Sequence, residues 1–413
     1  MENSKKILIF STSYLPFVGG AEVAIKEITD RIPNIEFDLI TARLDSKVSK
    51  GTFNTSERIG NVNVYRVGFG FKTLDKLLLP FWGAIKTISL NNKNHYKYYF
   101  CVMVTFASGA AYIANIISSK KVPIILNLQE GDSEEHFQNR WFGLINLSWK
   151  LALKRSSSVV AISSYLAERA KNFGYRGQSI VIPNGVDVKK FDFELNLTEN
   201  NTSNTRVALG LNDGDVALIT TSRLVLKNGV GDVIQALPKL SENIKFVIFG
   251  EGYLEKELKE LAIKLNVSNR IIFKGFVEHS VLNKYLKASD IFIRTSRSEG
   301  QGISFLEAMA SKLPVIATPV GGIVDFLHDP FFEVDTDNQT GYFCQPENPE
   351  SVAETVKRVM NDSQKNSVVE NAYNMVKEKY DWDLIAVQMQ AVFNKSCAPK
   401  DVSHDMISLN QII

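Results

Sequence analysis

Cysteine is scarce in this chain of 413 residues, which contains only Cys101, Cys344 and Cys397. An odd number of widely spaced cysteines forms neither a disulfide framework nor a zinc site. The chain also begins without the long apolar core and cleavage site of a signal peptide. Both absences favour a reducing compartment, and we expect a cytoplasmic protein.

Long uncharged runs are rare as well, and one candidate extends from Tyr98 to Ser119. This run is long enough to cross a bilayer. However, it contains Thr105, Ser108 and Gly109, and its pattern predicts a buried strand, a turn and then a helix. We therefore expect no membrane-spanning segment in this part of the chain.

The net charge is only +2, but it is unevenly distributed. Residues 1–190 hold 17 Lys and 8 Arg against 15 Asp and Glu, a net charge of +10, whereas the remainder holds 22 basic and 30 acidic residues, a net charge of −8. The basic residues are scattered and accompany no nucleic-acid motif, so we expect no nucleic acid. A phosphorylated acceptor or an anionic membrane surface fits the basic half better, which favours peripheral contact at the inner face of the membrane.

The chain is rich in apolar strands that alternate with amphipathic helical patterns. The segments KILIFS at 6–11, VALITT at 216–221 and KFVIFG at 245–250 are each followed by a turn and a helical pattern. This order predicts two Rossmann-like, doubly wound α/β domains.

A domain boundary is predicted at the polar, Asn- and Thr-rich stretch 193–205, which we interpret as a loop. We expect an N-terminal domain over 1–192 and a C-terminal domain over 206–380. An amphipathic helix at 381–395 and a patternless tail at 396–413 follow.

Two segments, 71–88 and 137–155, are apolar at helical spacing and contain lysine or arginine between the apolar residues. Each is interpreted either as a helix that faces the core or as an interfacial surface that docks the basic half on a membrane. The apolar set of the first segment is Leu74, Leu77, Leu78, Phe81, Trp82 and Ile85.

The stretch RTSRSEGQGISFLEAMASK at 294–312 is the strongest candidate for a binding site. A strand that passes through a Gly-rich loop into a helix leaves free backbone N–H groups at the helix start, Gly302-Ile303-Ser304, and these groups favour an anion. Glu299 lies just before the helix and Glu307 within it. Carboxylates at such a position are best explained as acceptors for sugar or ribose hydroxyls.

Two further loops lie beyond strand ends. Arg223 and Lys227 follow one strand and precede a helix, so two cations there can neutralise charge on a leaving diphosphate. Gly19 and Gly20 follow the first strand, and a Gly pair allows the backbone to approach a diphosphate closely.

These motifs resemble the retaining glycosyltransferases of family 4, and the resemblance covers about residues 6–394. It implies the GT-B fold, in which two Rossmann-like domains face each other across a cleft, the first on the acceptor side, and the final helix packs back on that domain. It also implies that Glu299 contacts the transferred sugar and Glu307 the nucleotide ribose. Gly19 and Gly20 would lie beside the donor phosphates, and Phe276 and Val277 would face the nucleotide base.

The sequence departs from the family pattern at four places, one of which is Asp325, where a glutamate is more usual. Gln301 stands where an aromatic residue is usual, which bears on donor choice. Asn228 stands where many members have the lysine that we assign to Lys227. Gln129 and Glu130 follow the strand at which members often have a donor-contacting histidine, and the sequence leaves open whether either replaces it.

The implied function is transfer of a hexose or N-acetylhexosamine from a UDP- or GDP-sugar to a glycan or lipid-linked acceptor, with retention of anomeric configuration. We expect no metal cofactor, because the Asp335-Thr336-Asp337 motif lies in a polar loop rather than after a central strand. A nucleotide-sugar epimerase of the same architecture and a non-catalytic nucleotide-sugar-binding protein are the alternatives.

Overall fold

The structure is a computed structural model that describes residues 5–44, 55–132, 144–192, 199–332 and 338–395. The chain divides into two compact units. The first unit contains residues 1–130, 134–183 and 383–413, and the second contains residues 131–133 and 184–382.

The first unit is built on a sheet whose strand order, within the described residues, is β3-β4-β2-β1-β5-β6-β7-β8. Strand β3 is antiparallel to β4, and all other neighbours are parallel. Central strands are buried on both faces, which explains why they read as continuous apolar runs. The strands are β1 Lys5–Phe10, β2 Ile35–Ala42, β3 Ser56–Ile59, β4 Val62–Val67, β5 Tyr96–Val102, β6 Ile124–Leu128, β7 Ser158–Ala161 and β8 Ile180–Val181.

Helices cover this sheet, and the last helix of the described residues joins them. The side chain of Phe393 packs edge-on against Phe37 and Phe100 of the sheet. The Ser163 hydroxyl accepts a hydrogen bond from the Leu166 amide and caps the helix that begins at Ser164. The helices are α1 Gly20–Asp30, α2 Lys72–Asn91, α3 Phe106–Ile117, α4 Leu144–Arg155, α5 Ser164–Asn172 and α14 Trp382–Asn394.

The second unit has a fully parallel sheet with the order β11-β10-β9-β12-β13-β14 in its described residues. The strands are β9 Val216–Thr221, β10 Ile244–Phe249, β11 Ile271–Gly275, β12 Ile291–Arg294, β13 Val315–Ala317 and β14 Tyr342–Phe343. The helices are α6 Val188–Phe191, α7 Glu199–Leu209, α8 Val230–Ala236, α9 Glu255–Lys264, α10 Leu282–Lys287, α11 Ile303–Ala310, α12 Pro349–Asn361 and α13 Lys365–Lys379.

The uncharged run from Tyr98 to Ser119 forms β5 and α3, which confirms the prediction of a strand, a turn and a helix. Across the described residues, no helix combines the length and the apolar character that crossing a bilayer requires. The thiols of Cys101 and Cys344 are buried and form no disulfide, and burial raises the pKa of both.

The prediction of a loop over 193–205 is wrong from residue 199 onward, where α7 begins. Asn- and Thr-rich sequence has a low helix propensity, but tertiary contacts override it. Arg206 donates to the carbonyl oxygens of Ala288 and Asp215, and Leu209 is fully buried. The helix is therefore held by its C-terminal half.

The turn after β8 belongs to the second unit, whose main segment begins at Asn184. Residues 184–192 were predicted to belong to the first unit. Val186 forms an isolated parallel bridge with Asp381, and its amide donates to the Tyr380 carbonyl oxygen over 2.8 Å. Gly185 makes this contact possible, because a Cβ there would lie 2.7 Å from the same oxygen.

The interpretation of 71–88 as a helix that faces the core with its large apolar residues is wrong. Leu74, Phe81 and Ile85 of α2 are 45%, 59% and 59% exposed. The buried side of the helix is made mainly of small residues, including Gly83 and Ala84. In the second segment, 137–155, the described part faces the core, since Trp149, Ala152 and Leu153 are buried.

Candidate functional site

The start of α11 in the second unit is the centre of the candidate site. Strand β12 ends at Arg294, and the loop that follows reaches Gly302, whose φ of +92° favours glycine. Gly302, Ile303 and Ser304 are partly exposed, while the next six residues of the helix are buried. The predicted helix start is thus present and accessible, and anion binding there stays a prediction.

The guanidinium of Arg294 connects three elements around this helix start. It pairs with the Glu299 carboxylate and donates to Ser304 Oγ over 3.0 Å and to Asn228 Oδ1 over 3.1 Å. Its Nε is buried and has no hydrogen-bond partner among the described residues. Arg294 therefore places a positive charge beside the predicted sugar contact.

The Glu299 side chain is held from two directions and is only 12% exposed. One carboxylate oxygen pairs with Arg294, and the other accepts from the Gly300 amide over 3.1 Å. The Gly322 amide donates to the backbone carbonyl of Glu299 over 3.2 Å. At Gly321, with φ of +58°, a Cβ would lie 1.8 Å from that carbonyl oxygen, so this approach requires glycine.

Glu307 is at the end of a chain of three side chains. The Nε2 of His279 lies 2.6 Å from Glu307 Oε1, and Lys190 Nζ lies 2.9 Å from His279 Nδ1. An ammonium group can only donate, so Nδ1 accepts and Nε2 carries the proton that is donated to Glu307. The Glu307 carboxylate is 7% exposed. The hydrogen bonds from Lys190 to His279 and from His279 to Glu307 fix its orientation.

The loop after β9 contains the two predicted cations, Arg223 and Lys227, which differ in their contacts. Arg223 is exposed, and in the described part of the chain its side chain makes no ion pair or hydrogen bond. Lys227 Nζ lies 3.0 Å from Asp132 Oδ1 and 3.1 Å from the Gly131 carbonyl oxygen, within the second unit. Asn228 links the loop to the centre, because it donates to the Arg223 carbonyl oxygen and accepts from Arg294.

The predicted base-facing residues follow β11. Phe276 is 61% exposed, and Val277 packs partly on the core of the second unit. His279, which contacts Glu307, is only two residues further along. The structure thus brings the predicted base and ribose contacts to neighbouring positions of the same unit.

Gly19 and Gly20 lie in the first unit, where Gly20 begins α1. Gly19 has φ of −139°, which is extended backbone that any residue adopts. A Cβ at Gly19 would lie 2.7 Å from Glu22 Oε2. The contact of Gly19 and Gly20 with the donor phosphates stays a prediction.

Gln301, Gln129 and Glu130, which depart from the family pattern, make hydrogen bonds within their own units. Both amide atoms of Gln301 are engaged, because Oε1 accepts from the Asn184 amide over 2.7 Å and Nε2 donates to its carbonyl oxygen over 2.9 Å. Glu130 accepts from the amides of Val104 and Gln129, and burial raises the pKa of Glu130 to about 7. Gln129 donates to Asn127.

The Asp335-Thr336-Asp337 motif lies outside the described residues. Among the residues that are described, no group of three or more His, Cys, Asp or Glu side chains is arranged to hold a metal ion.

Sequence reasoning missed Arg294, His279 and Lys190. Arg294 carried a signal, since an arginine that ends the buried strand IFIR breaks its apolar pattern. His279 and Lys190 carried none, because their contacts join residues that are 28 and 89 positions apart.

Two family models match this chain. The model described as "Glycosyl transferases group 1" matches residues 201–375, and the model described as "Glycosyltransferase Family 4" matches residues 18–190. Every described residue discussed above as part of the candidate site lies within one of these two ranges.

Two relatives of this chain are named as glycosyltransferases. An uncharacterized glycosyltransferase of Methanocaldococcus jannaschii is 33% identical over 59% of this chain and 61% of its own length. The GDP-mannose-dependent monoacylated alpha-(1-6)-phosphatidylinositol monomannoside mannosyltransferase of Corynebacterium glutamicum is 36% identical over 39% of this chain and 44% of its own length. The chain thus spans less than two thirds of either relative.

A solved structure shares the fold across both units. HepE of Anabaena, in complex with UDP-glucose, has a TM-score of 0.73 and 21% identity, and the match covers 94% of this chain and 98% of HepE. At this identity the likeness shows the fold, which is that of GT-B glycosyltransferases.

Proposed function

The chain belongs to the glycosyltransferases of group 1 and family 4, and from this premise we propose the reaction that it catalyses. It moves a hexose or an N-acetylhexosamine from a UDP- or GDP-sugar to a glycan or lipid-linked acceptor, with retention of anomeric configuration. The observation that carries this proposal is the cluster of Arg294, Glu299 and Glu307 around the start of α11.

The donor diphosphate lies against the N-terminus of α11. Free N–H groups and the helix dipole favour an anion there, and the charge of Arg294 adds to them. Arg223 is exposed and available to stabilise the diphosphate as it leaves. Lys227 contacts Asp132 in this structure, so a diphosphate competes with that carboxylate for the ammonium group.

The two carboxylates bind hydroxyl groups. Glu299 uses one lone pair of each oxygen on Arg294 and the Gly300 amide, so further lone pairs accept from the sugar. Glu307 accepts a hydrogen bond from His279 on Oε1, which leaves Oε2 for the ribose. Phe276 and Val277 contact the base.

The acceptor hydroxyl attacks the anomeric carbon from the face that the diphosphate leaves, the bond between that carbon and the diphosphate breaks, and the hydroxyl proton passes to the departing phosphate. Charge stabilisation of the departing group then supplies the main part of the catalysis. The reaction needs no metal ion in this proposal, because Arg223, Lys227 and the helix start neutralise the diphosphate. Names of relatives support both donor classes, since one is GDP-mannose-dependent and HepE was solved with UDP-glucose.

The test is incubation of the protein with UDP- and GDP-sugars, with and without glycan and lipid-linked acceptors, followed by NMR of the products. We expect nucleotide release that depends on an acceptor and a product with the anomeric configuration of the donor. An isomerised donor without an acceptor indicates an epimerase instead, and binding without any release indicates a non-catalytic protein. An inverted product contradicts the retaining mechanism.

A further inference from the structure

The outer side of α2 in the first unit exposes large apolar side chains. Leu74, Leu77, Phe81, Trp82 and Ile85 follow one another at helical spacing and are between 36% and 59% exposed. Phe69 and Phe71, in the loop before the helix, are 61% and 66% exposed. We call these seven residues the α2 outer face.

The exposure results from the orientation of α2, whose opposite side packs against the core of the first unit. Gly83 packs so closely that a Cβ there would lie 2.7 Å from the Cβ of Ala110 in α3. Leu79 and Leu90 on the same side are buried. Because small residues face the unit, the large ones face outward, and a contiguous apolar surface of this kind marks an interaction site.

The face is also held in place before any partner binds. The buried carboxylate of Asp75 accepts from the amides of Phe69 and Gly70 over 2.8 and 2.6 Å, which fixes the loop. The Phe69 ring lies edge-on to Trp82, with 5.5 Å between centroids. A rigid aromatic pair loses little conformational entropy when it is covered.

The charge around the face selects an anionic partner. Helix α2 itself contains three lysines, Lys72, Lys76 and Lys86, and its single acid, Asp75, is buried. Lys72 on α2 is exposed, and Lys76 and Lys86 are half-buried on the same helix. A second copy of this face would bring like charges together, which disfavours a symmetric dimer.

We propose that the α2 outer face docks the first unit on an anionic lipid bilayer surface. The aromatic and aliphatic side chains enter the headgroup region, and the lysines contact lipid phosphates, as in an interfacial amphipathic helix. The assignment rests on the proposed function only in that docking brings a lipid-linked acceptor to the enzyme. Binding to the bilayer itself requires no sugar transfer.

The experiment is co-sedimentation of the full chain with vesicles of phosphatidylcholine alone or of equal parts phosphatidylcholine and phosphatidylglycerol. We expect binding to the mixed vesicles, much weaker binding to phosphatidylcholine, and weakening by salt. Fluorescence of Trp82 shifts to the blue on binding, and the shift is lost in Trp82→Phe.

The decisive variant is Leu77→Gln, Phe81→Gln and Ile85→Gln together. These side chains are exposed, so the melting temperature stays close to that of the wild type, while vesicle affinity falls by at least about tenfold. Val387→Gln is the matched control, because Val387 is 65% exposed on α14 of the same unit and is not part of the face. Lys72→Glu should weaken binding to mixed vesicles alone.

Wild-type protein that ignores the mixed vesicles, or a triple variant that binds them as well as the wild type does, overturns the proposal. A dimer that the triple variant abolishes, without vesicle binding, also overturns it in favour of a second copy. Thermal shift with UDP- and GDP-sugars separates this outcome from the proposed function, since the triple variant keeps donor binding if only docking is lost.

Discussion

The two units place their apolar side chains and carboxylates in opposite ways. In the second unit, α11 buries Phe305, Leu306 and Met309 completely and has Glu299 and Glu307, paired with cationic or imidazole side chains, at or near its start. In the first unit, α2 turns its large apolar residues outward, and the buried carboxylates of Asp75 and Glu130 accept from backbone amides.

This difference teaches that similar helical patterns serve different purposes in the two units. A carboxylate that bonds to backbone amides has a fixed structural task. A carboxylate that is paired with another side chain at an accessible helix start keeps lone pairs that can accept from a ligand. We therefore assign donor chemistry to the second unit and surface contact to the first, and each prediction below compares the two.

The largest contrast is expected between Phe305→Ala and Phe81→Ala. Phe305 is fully buried under the site and lies 5.6 Å, centroid to centroid, from Phe292, so its truncation should cost about 3–5 kcal/mol of stability. Phe81 is exposed on α2, and its truncation should change stability by less than about 0.5 kcal/mol. Urea unfolding of both variants measures this, and equal losses would remove the contrast.

Removal of the Arg223 side chain should act on turnover without acting on the fold. The exposed guanidinium is expected to stabilise the leaving diphosphate, so Arg223→Ala should lower kcat by roughly 10²–10³, the usual cost of a lost oxyanion donor. Lys256→Ala, an exposed cation on α9, is the control and should leave kcat unchanged. Unaltered turnover in Arg223→Ala would show that its assigned role is wrong.

Glu130 should make the stability of the first unit depend on pH. Burial raises its pKa from 4.5 to about 7, so between these values the folded state keeps a proton that the unfolded state releases. Its contribution is therefore most favourable below pH 4.5 and is lost as pH rises toward 7, by about 1–3 kcal/mol. Glu130→Gln should flatten the unfolding free energy over this range, and a slope identical to the wild type contradicts the account.

The smallest effect is expected at His279. His279→Ala releases one oxygen of Glu307, so we expect donor KM to rise by roughly tenfold while kcat changes little, as for a lost hydrogen bond to a charged group. His95→Ala, a histidine of the first unit, is the matched control. A fall in kcat with constant KM would place His279 in the chemical step instead of in the positioning of Glu307.

The fold could largely be predicted because buried parallel strands read as continuous apolar runs, as in β1 and β9. The helix α7 was missed, since Asn- and Thr-rich sequence resembles a loop until Arg206 and Leu209 find distant partners. The orientation of α2 was left open between two interpretations for a related reason. Periodicity gives the face that is apolar, but the fit of Gly83 against Ala110 decides which face is buried.

The candidate site could be predicted only where a local motif carries it. Glu299, Gly302 and Ser304 lie in one short loop and helix start, so their proximity follows from sequence order. Arg294 and His279 act through contacts with other elements, and such contacts depend on the sheet topology. The sequence alone therefore predicts the candidate ligand contacts, but it does not predict Arg294 and His279, which orient them.

The central claim is that Glu299 contacts the donor sugar, whereas Glu130 has a structural role in the first unit. Turnover of UDP- and GDP-sugars by Glu299→Gln and by Glu130→Gln tests this claim most directly. We predict that Glu299→Gln lowers kcat by roughly 10²–10³ while it still binds the donor, and that Glu130→Gln keeps wild-type kcat. Wild-type turnover by Glu299→Gln, or an equal loss in Glu130→Gln, would contradict the account.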